Sequence, residues 1–170
     1  MEQIHIPVIL SSDNNQVNAM AVVMTSAILA ADENTFYDFY CFLSDNVTAE
    51  NRERLLACRE ISRKNCFVTL VDMSKYFDNN AIQYSGKVGM VHSVTTPALY
   101  RLKAPSVLSH LDKVLYLDTD TMVRTDLRAL LKRQWTTFTW LACLLFGLKL
   151  KRAIAIAGSS KVEFRAWTIT

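Results

Sequence analysis

Hydrophobic and polar positions near the start of the chain follow first one pattern and then another. Ile6 to Leu10 is a short apolar run that ends in the polar stretch SSDNN, which predicts a buried strand leading into a loop. After that loop, apolar residues recur at intervals of three and four, the spacing of one helix face. The residues of this face are Val17, Met20, Ala21, Val23, Met24, Ala27 and Ile28.

The same order of strand and helix repeats further along the chain. Tyr37 to Leu43 is aromatic-rich and predicts a second strand, and Thr48 can cap a helix that continues to about Lys64. Cys66 to Met73 and Lys113 to Leu117 predict the third and fourth strands.

The segment between the third and fourth strands is less regular. Residues 74–93 are polar and predict loops. Pro97 follows two threonines and suits the first turn of a helix, so a helix is predicted to begin there. Pro105 is predicted to kink this helix or to restart it near Ser109.

Strands that alternate with helices in this way predict an α/β fold with a mostly parallel sheet. In such a sheet, ligands bind at the carboxyl ends of the strands, where the strand order reverses. Two polar clusters follow strands at such positions, Ser11 to Asn15 and Asp118 to Asp120. If the first and fourth strands are neighbours, both clusters face one cleft.

Composition fits a globular chain and divides it into two unlike parts. The 170 residues are 51% hydrophobic, which suits one packed domain or a piece of a larger one. Residues 1–127 hold 11 Lys/Arg and 15 Asp/Glu, a balance of −4, whereas residues 128–170 hold 8 and 1, a balance of +7. These basic residues are spread through apolar sequence, so nucleic acid is not an expected partner.

The start of the chain and the cysteines bear on the cellular compartment. MEQIHIPVIL lacks the basic region and long apolar core of a secretory signal, so a cytoplasmic location is expected. Phe138 to Leu148 is shorter than the roughly 20 residues of a membrane-spanning helix, which favours a buried or interfacial segment and leaves peripheral association with the inner face of the membrane open. The cysteines lack zinc-site spacing and are predicted to be reduced and mostly buried. They are Cys41, Cys58, Cys66 and Cys143.

The stretch KVLYLDTDTMV at residues 113–123 carries the clearest candidate chemistry. Asp118 and Asp120 can approach one hard cation, such as Mn²⁺ or Mg²⁺, which could then neutralise a diphosphate leaving group. An Asp-rich turn explains the spacing equally well. A D-x-D-x-T phosphatase, with Asp118 as nucleophile and Asp120 as acid/base, is a third interpretation. It lacks the later acidic pair that such an enzyme needs, since only Glu163 is acidic after Asp126.

Four segments of the chain, taken in order, carry a resemblance to a known family. They are IPVILSSDNNQ, FYCFLSDNVTAENRERL, HSVTTPALYRLKAPSVL and DKVLYLDTDTMVRTDL. Together they resemble family eight retaining glycosyltransferases of the GT-A fold, a group that includes lipopolysaccharide glucosyl- and galactosyltransferases. The resemblance implies a Rossmann-like, mostly parallel sheet flanked by helices.

The resemblance also implies a reaction and a set of site residues. The implied reaction is transfer of a hexose, with retention and with Mn²⁺ or Mg²⁺ as cofactor, from UDP-glucose or UDP-galactose to a saccharide acceptor of lipopolysaccharide or another surface glycan. The implied nucleotide-sugar-binding residues are Asp13, Asn15, Arg101, Asp118 and Thr119, and the implied metal ligands are Asp118 and Asp120. From residue type alone, Asp13 and Asn15 could instead cap the first helix, and Arg101 could form a surface ion pair.

The resemblance ends at about Leu131. Residues 132–170 contain all three tryptophans and no histidine, whereas the family completes its metal site with a late histidine. We therefore predict that residues 1–131 are the nucleotide-sugar-binding part of a C-terminally incomplete GT-A domain and that residues 132–170 are a divergent or aberrant tail. Weak nucleotide binding and little or no transfer are expected, with a non-catalytic nucleotide-binding remnant as the alternative function.

Overall fold

The structure is a computed structural model that describes residues 3–62, 65–76, 96–131, 143–144 and 152–157. The strands within these residues are β1 (Ile4–Ser12), β2 (Thr35–Leu43), β3 (Cys66–Asp72), β4 (Lys113–Leu117), β5 (Cys143–Leu144) and β6 (Arg152–Ala157). They form one sheet in the order β3-β2-β1-β4-β6-β5. β1 to β4 pair in parallel, and β6 runs antiparallel to β4 and β5. The predicted α/β fold with a mostly parallel sheet is confirmed.

The helices follow the strands as the periodicity predicts. They are α1 (Val17–Leu29), α2 (Ala49–Ala57), α3 (Thr96–Tyr100), α4 (Ala104–Val107) and α5 (Arg128–Leu131). Thr48 caps α2 as expected, because its hydroxyl accepts a hydrogen bond from the Asn51 N–H.

The end of α2 differs from the sequence prediction. The helix stops at Ala57 and passes into a 3₁₀ turn over Cys58–Glu60, instead of continuing to about Lys64. The Ser62 carbonyl then accepts a hydrogen bond from the Asn65 N–H, and this turn directs the chain into β3. The apolar periodicity is therefore cut short by the connection that the next strand requires.

The helix that begins at Thr96 also restarts earlier than expected. A 3₁₀ turn over Arg101–Lys103 follows α3, and α4 begins at Ala104 instead of near Ser109. Pro105 lies in the first turn of α4, where a helix does not use the backbone N–H that proline lacks. The proline therefore marks a helix start and does not interrupt one.

Alternation along the strands divides the core between the two faces of the sheet. Val8 packs in one cluster with α1, whereas Ile9 packs in a second cluster with Tyr100 of α3, because successive strand side chains point to opposite faces. In β4, Leu115 belongs to the first cluster and Tyr116 to the second.

The segment after β4, residues 118–128, runs back over α1 towards the amino ends of the parallel strands. The Val123 N–H donates to the Ser26 hydroxyl of α1 at 3.0 Å. The Leu127 N–H donates to the buried hydroxyl of Tyr37 at 3.1 Å. The segment is therefore fixed both to a helix and to the interior of β2.

Asp126 and Arg128 fasten the far end of this segment. Asp126 accepts hydrogen bonds from the backbone N–H groups of Asp32 and Arg128 at 2.8 and 2.7 Å. Arg128 donates to the Thr35 hydroxyl at 2.6 Å. Burial acts to raise the pKa of Asp126, but these hydrogen bonds, together with the Thr35 hydroxyl and the charge of Arg128, hold that pKa below its usual value.

The expectation for the cysteines is confirmed for three of the four, and the expectation for the apolar stretch is not tested by the described residues. Cys41, Cys58 and Cys66 are free and buried, as predicted, and burial raises the pKa of each, to about 11 for Cys66. The side chain of Cys143, and most of the apolar stretch Phe138 to Leu148, lie outside the described residues. No helix in the described part of the chain is both long and apolar enough to cross a membrane.

Replacing Tyr37 by phenylalanine is expected to lower the free energy of unfolding by about 1–3 kcal/mol, because the buried Leu127 N–H loses its acceptor. Tyr37 is fully buried, so water does not replace the lost hydroxyl. Urea denaturation followed by circular dichroism measures the change. Tyr40→Phe on the same strand is the matched control, because Tyr40 is only partly buried. Equal losses in the two variants would contradict the prediction.

The contribution of Asp126 to stability is expected to depend on pH. The folded protein holds the pKa of Asp126 below its unfolded value. Its contribution is therefore fully present above about pH 4 and is lost as the pH falls through the folded value. The difference in unfolding free energy between the wild type and Asp126→Asn should be larger at about pH 6 than at about pH 3. A difference that is the same at both pH values argues against this role of the carboxylate.

Candidate functional site

A cleft lies at the carboxyl edge of the sheet, between β1 and β4. The two strands pair in parallel, with Val8 opposite Leu115 and Ile9 opposite Tyr116, so the segments that follow them run side by side. The cleft is open to solvent and has a volume of about 400 Å³. It is lined by Ser11, Ser12, Asp13, Asn15, Gln16, Pro97, Ala98, Tyr116, Asp118, Thr119 and Asp120. The two polar clusters therefore share one cleft, as the sequence predicts.

The structure brings all six candidate site residues to this cleft. Five of them line it directly, and the sixth, Arg101, contacts one of the five, Asp118. The five are Asp13, Asn15, Asp118, Thr119 and Asp120. Their roles in binding stay predictions, because proximity alone assigns no ligand.

Asp13 both caps the segment after β1 and lines the cleft. Its backbone is extended, and its Oδ1 accepts hydrogen bonds from the N–H groups of Asn15 and Gln16 at 3.0 and 3.1 Å. The Ser12 hydroxyl donates to the Asp13 carbonyl. This cap lies on a 3₁₀ turn over Asn14–Gln16 and not on α1, whose N-cap residue, Gln16, makes no side-chain cap hydrogen bond. Asn15 lies inside the turn, so the alternative that Asp13 and Asn15 cap the first helix is wrong. The cap on the turn is compatible with the position of Asp13 in the cleft.

Asn14, which the sequence analysis did not single out, ties the loop after β1 to the loop after β2. Its N–H donates to Asn46 Oδ1 at 3.3 Å, and its Oδ1 accepts from the Thr48 N–H at 3.1 Å and from Asn51 Nδ2 at 2.8 Å. A signal for this contact exists in the sequence, because the triplet Ser-Asp-Asn follows both strands. The two parallel strands thus end in matching loops that hold each other.

Asp118 and Asp120 lie in a turn that also faces the cleft. The Asp118 carbonyl accepts hydrogen bonds from the hydroxyl and the N–H of Thr121, at 2.7 and 3.2 Å. The turn that the spacing permits is therefore present. Because both aspartates line the cleft, the turn does not exclude a cation site.

Arg101 holds its guanidinium at the side of the cleft. Its Nη1 lies 3.6 Å from Asp118 Oδ1, and its Nε donates to the Ala98 carbonyl at 2.6 Å. The guanidinium carbon lies 5.1 Å from the centre of the Tyr116 ring, a cation–π contact. The Arg101 side chain is 23% exposed, so the expected alternative of a surface ion pair becomes a partly buried pair within the candidate site.

Two buried tyrosine hydroxyls form hydrogen bonds with serines at the carboxyl ends of β1 and β2. The Tyr116 hydroxyl shares a 2.7 Å hydrogen bond with the Ser11 hydroxyl, and the Tyr100 hydroxyl shares one of 3.0 Å with Ser44. Burial, followed by the charge of Asp118, raises the pKa of Tyr116 to about 12, so this hydroxyl is neutral at ordinary pH. In the sequence, Tyr116 is one residue of the apolar run that predicts the fourth strand, and such a run shows nothing of the partner across the sheet.

The oxygen atoms of Asp118 and Asp120 suit a divalent cation that is bound partly by these carboxylates and partly by phosphate oxygens. Asp118 and Asp120 offer hard carboxylate oxygens at one cleft, and Mg²⁺ is commonly held by one or two carboxylates together with substrate phosphates. No group of three or more His, Cys, Asp or Glu side chains that could hold a metal exists among the described residues. His5 lies at the opposite edge of the sheet and pairs with Asp38 at 2.9 Å.

A mostly parallel sheet with polar loops at the carboxyl ends of its strands is the architecture of an open α/β domain, a class in which ligands bind at those ends. The chain belongs to glycosyl transferase family 8, whose family model matches residues 7–156. That match continues past Leu131, so the resemblance is longer than the sequence analysis expected. β6 lies in the extension and pairs with β4, while the division of the chain into two parts at residue 131 stays a prediction.

Solved structures show the same fold. The apo structure of the bifunctional glycosyltransferase WbbM matches at 27% identity and a TM-score of 0.61, over 82% of this chain and 23% of its own. The galactosyltransferase LgtC, in complex with donor and acceptor sugar analogues, matches at 20% and 0.60, over 79% and 45%. GlyE of Streptococcus pneumoniae TIGR4 matches at 18% and 0.54, over 92% and 34%. The chain thus spans less than half of each, and comparison with curated proteins gives no match.

Exchanging Asp13 separates its capping role from its charge. Asp13→Ala is expected to lower the free energy of unfolding by about 0.5–2 kcal/mol, because the N–H groups of Asn15 and Gln16 lose their acceptor. Asp13→Asn keeps an acceptor oxygen and should lose little, since Asn caps as well as Asp. Urea denaturation of both variants measures the difference. An equal loss in the two would show that the charge, and not the cap, stabilises the loop.

Proposed function

We propose that this chain binds the donor in a retaining glycosyltransferase that transfers a hexose from a UDP-sugar to a saccharide acceptor of lipopolysaccharide or a similar surface glycan. The observation that carries the proposal is the convergence of the β1 and β4 loops, with Asp118, Asp120 and Arg101, on one cleft. WbbM is a bifunctional glycosyltransferase and LgtC is a galactosyltransferase solved with donor and acceptor sugar analogues, which supports a sugar donor and a sugar acceptor for this fold. A volume of about 400 Å³ suits a small-molecule ligand.

Each residue has a distinct task in this proposal. Asp118 and Asp120 would hold Mn²⁺ or Mg²⁺, which when bound neutralises the diphosphate leaving group. Arg101 presents fixed N–H donors that suit a diphosphate or a sugar hydroxyl. Asp13 and Asn15, at the end of β1, would hold the uracil or the ribose. Retention of configuration, and UDP-glucose or UDP-galactose as the donor, are what the family resemblance implies, and it does not select between the two donors.

Metal-dependent binding of UDP tests the proposal. Isothermal titration of the purified chain with UDP should show binding with Mn²⁺ present and weaker binding without it. Asp118→Asn and Asp120→Asn should each lower the affinity at least about tenfold, since even outer-shell partners of a metal contribute about 10–100-fold. Asp112→Asn is the matched control, because Asp112 is exposed and precedes the other end of β4.

The same preparation separates the two candidate functions. Release of UDP from UDP-glucose or UDP-galactose, with Mn²⁺ and a saccharide acceptor present, would identify an active transferase and contradict the expectation of little or no transfer. Binding of UDP without turnover would identify a nucleotide-binding remnant. Binding that is absent, or equal with and without Mn²⁺, would overturn the proposed site. The phosphatase hypothesis has no support from the family to which the chain belongs.

A further inference from the structure

We propose that Arg101 makes cation binding at Asp118 depend on a diphosphate. In the free protein the guanidinium of Arg101 neutralises this carboxylate, and a bound diphosphate takes over the pairing, which lets Asp118 ligate a divalent cation. This inference rests on the proposed nucleotide site and adds to it an order of binding.

Three contacts fix the guanidinium beside Asp118. Its Nε donates to the Ala98 carbonyl at 2.6 Å, its carbon lies over the Tyr116 ring at 5.1 Å from the ring centre, and its Nη1 lies 3.6 Å from Asp118 Oδ1. The bond to Ala98 leaves the terminal N–H groups facing the carboxylate. The positive charge is therefore built into the cleft and is not a mobile surface group.

The backbone around Arg101 prevents the charge from withdrawing. The preceding residue, Tyr100, is 2% exposed and bonds to Ser44 at the end of β2. The following turn is closed by a hydrogen bond from the Ala104 N–H to the Arg101 carbonyl. The point from which the side chain extends is therefore fixed, and the guanidinium itself is held by the Ala98 carbonyl and the Tyr116 ring.

The charges around Asp118 affect the binding of a divalent cation and of a diphosphate. Asp13, Asp118 and Asp120 line the cleft, and Arg101 at its side supplies a positive charge that acts chiefly on Asp118. A divalent cation bound to Asp118 alone would stand close to the guanidinium, and like charges repel. A diphosphate offers oxygens to both and removes the repulsion. Because linkage is reciprocal, the cation raises nucleotide affinity by the same factor.

Cation and nucleotide titrations of the full chain test this coupling. Binding of Mn²⁺ alone is measured from the electron paramagnetic resonance signal of the free ion. UDP binding is measured by calorimetry with and without Mn²⁺, with the Mn²⁺–UDP complex in solution included in the fit. In the wild type, UDP and Mn²⁺ should raise each other's affinity by about tenfold or more. In Arg101→Gln, Mn²⁺ alone should bind more tightly, and the coupling should be smaller than in the wild type, because only the direct attraction between cation and diphosphate is left to couple them.

Two further variants sharpen the result. Arg59→Gln also removes an arginine paired with a carboxylate, Glu60, but near the start of β3 and away from the cleft, so it should behave as the wild type. Arg101→Lys keeps the charge and should retain weak binding of Mn²⁺ alone. If Arg101→Gln binds Mn²⁺ no more tightly than the wild type, while the wild type still binds UDP with Mn²⁺, the inference is overturned and the proposed function stands.

Other outcomes separate the two proposals further. A wild type that binds UDP neither with nor without Mn²⁺ overturns both. If Arg101→Gln fails to fold, Arg101→Met, which also removes the charge and keeps an unbranched side chain, takes its place with the same expected result. In the wild type, uridine lacks phosphates and should leave the affinity for Mn²⁺ unchanged. An increase with uridine as large as that with UDP contradicts a diphosphate-dependent mechanism.

Discussion

The parallel pairing of β1 with β4 is the constraint on which the cleft depends. Only two residue pairs define the register, Val8 with Leu115 and Ile9 with Tyr116. Because side chains alternate along a strand, this register also brings the Ser11 hydroxyl to the Tyr116 hydroxyl. A shift of one residue would turn Tyr116 to the other face of the sheet and separate the two loops. The position of the polar groups in the site therefore depends on the pairing of two apolar strands.

The negative charge of the cleft is offset by one arginine, Arg101, that lies next to one of the aspartates, Asp118. Asp118 and Asp120 carry like charges and line the same cleft, and the turn that holds them is stabilised by Thr121 and by the neighbouring guanidinium of Arg101. Arg101 is in turn placed by the packing of Tyr100 in the core. The polar site is thus held by the two apolar layers that flank the sheet.

The sequence predicts the parts of this fold that depend on local periodicity. The four parallel strands and the start of α1 agree with it, since alternation and helix spacing are written in neighbouring residues. The early end of α2 and the restart at Ala104 do not, because the connections to the next elements determine them. The Asn14 contacts join loops that only the sheet brings together. The change in composition after Leu131 predicted that the resemblance to the family ends there, whereas the family match continues to residue 156.

The separation along the chain between the two walls of the cleft has a consequence for folding. Ser11 and Tyr116 are 105 residues apart, whereas β1, β2 and β3 pair with neighbours in chain order. Closing so long a loop costs entropy that is recovered only when β4 docks, so the first three strands can assemble before the cleft exists. A ligand of the cleft consequently stabilises the finished fold and none of its precursors. The binding site therefore exists only after β4 has docked against β1.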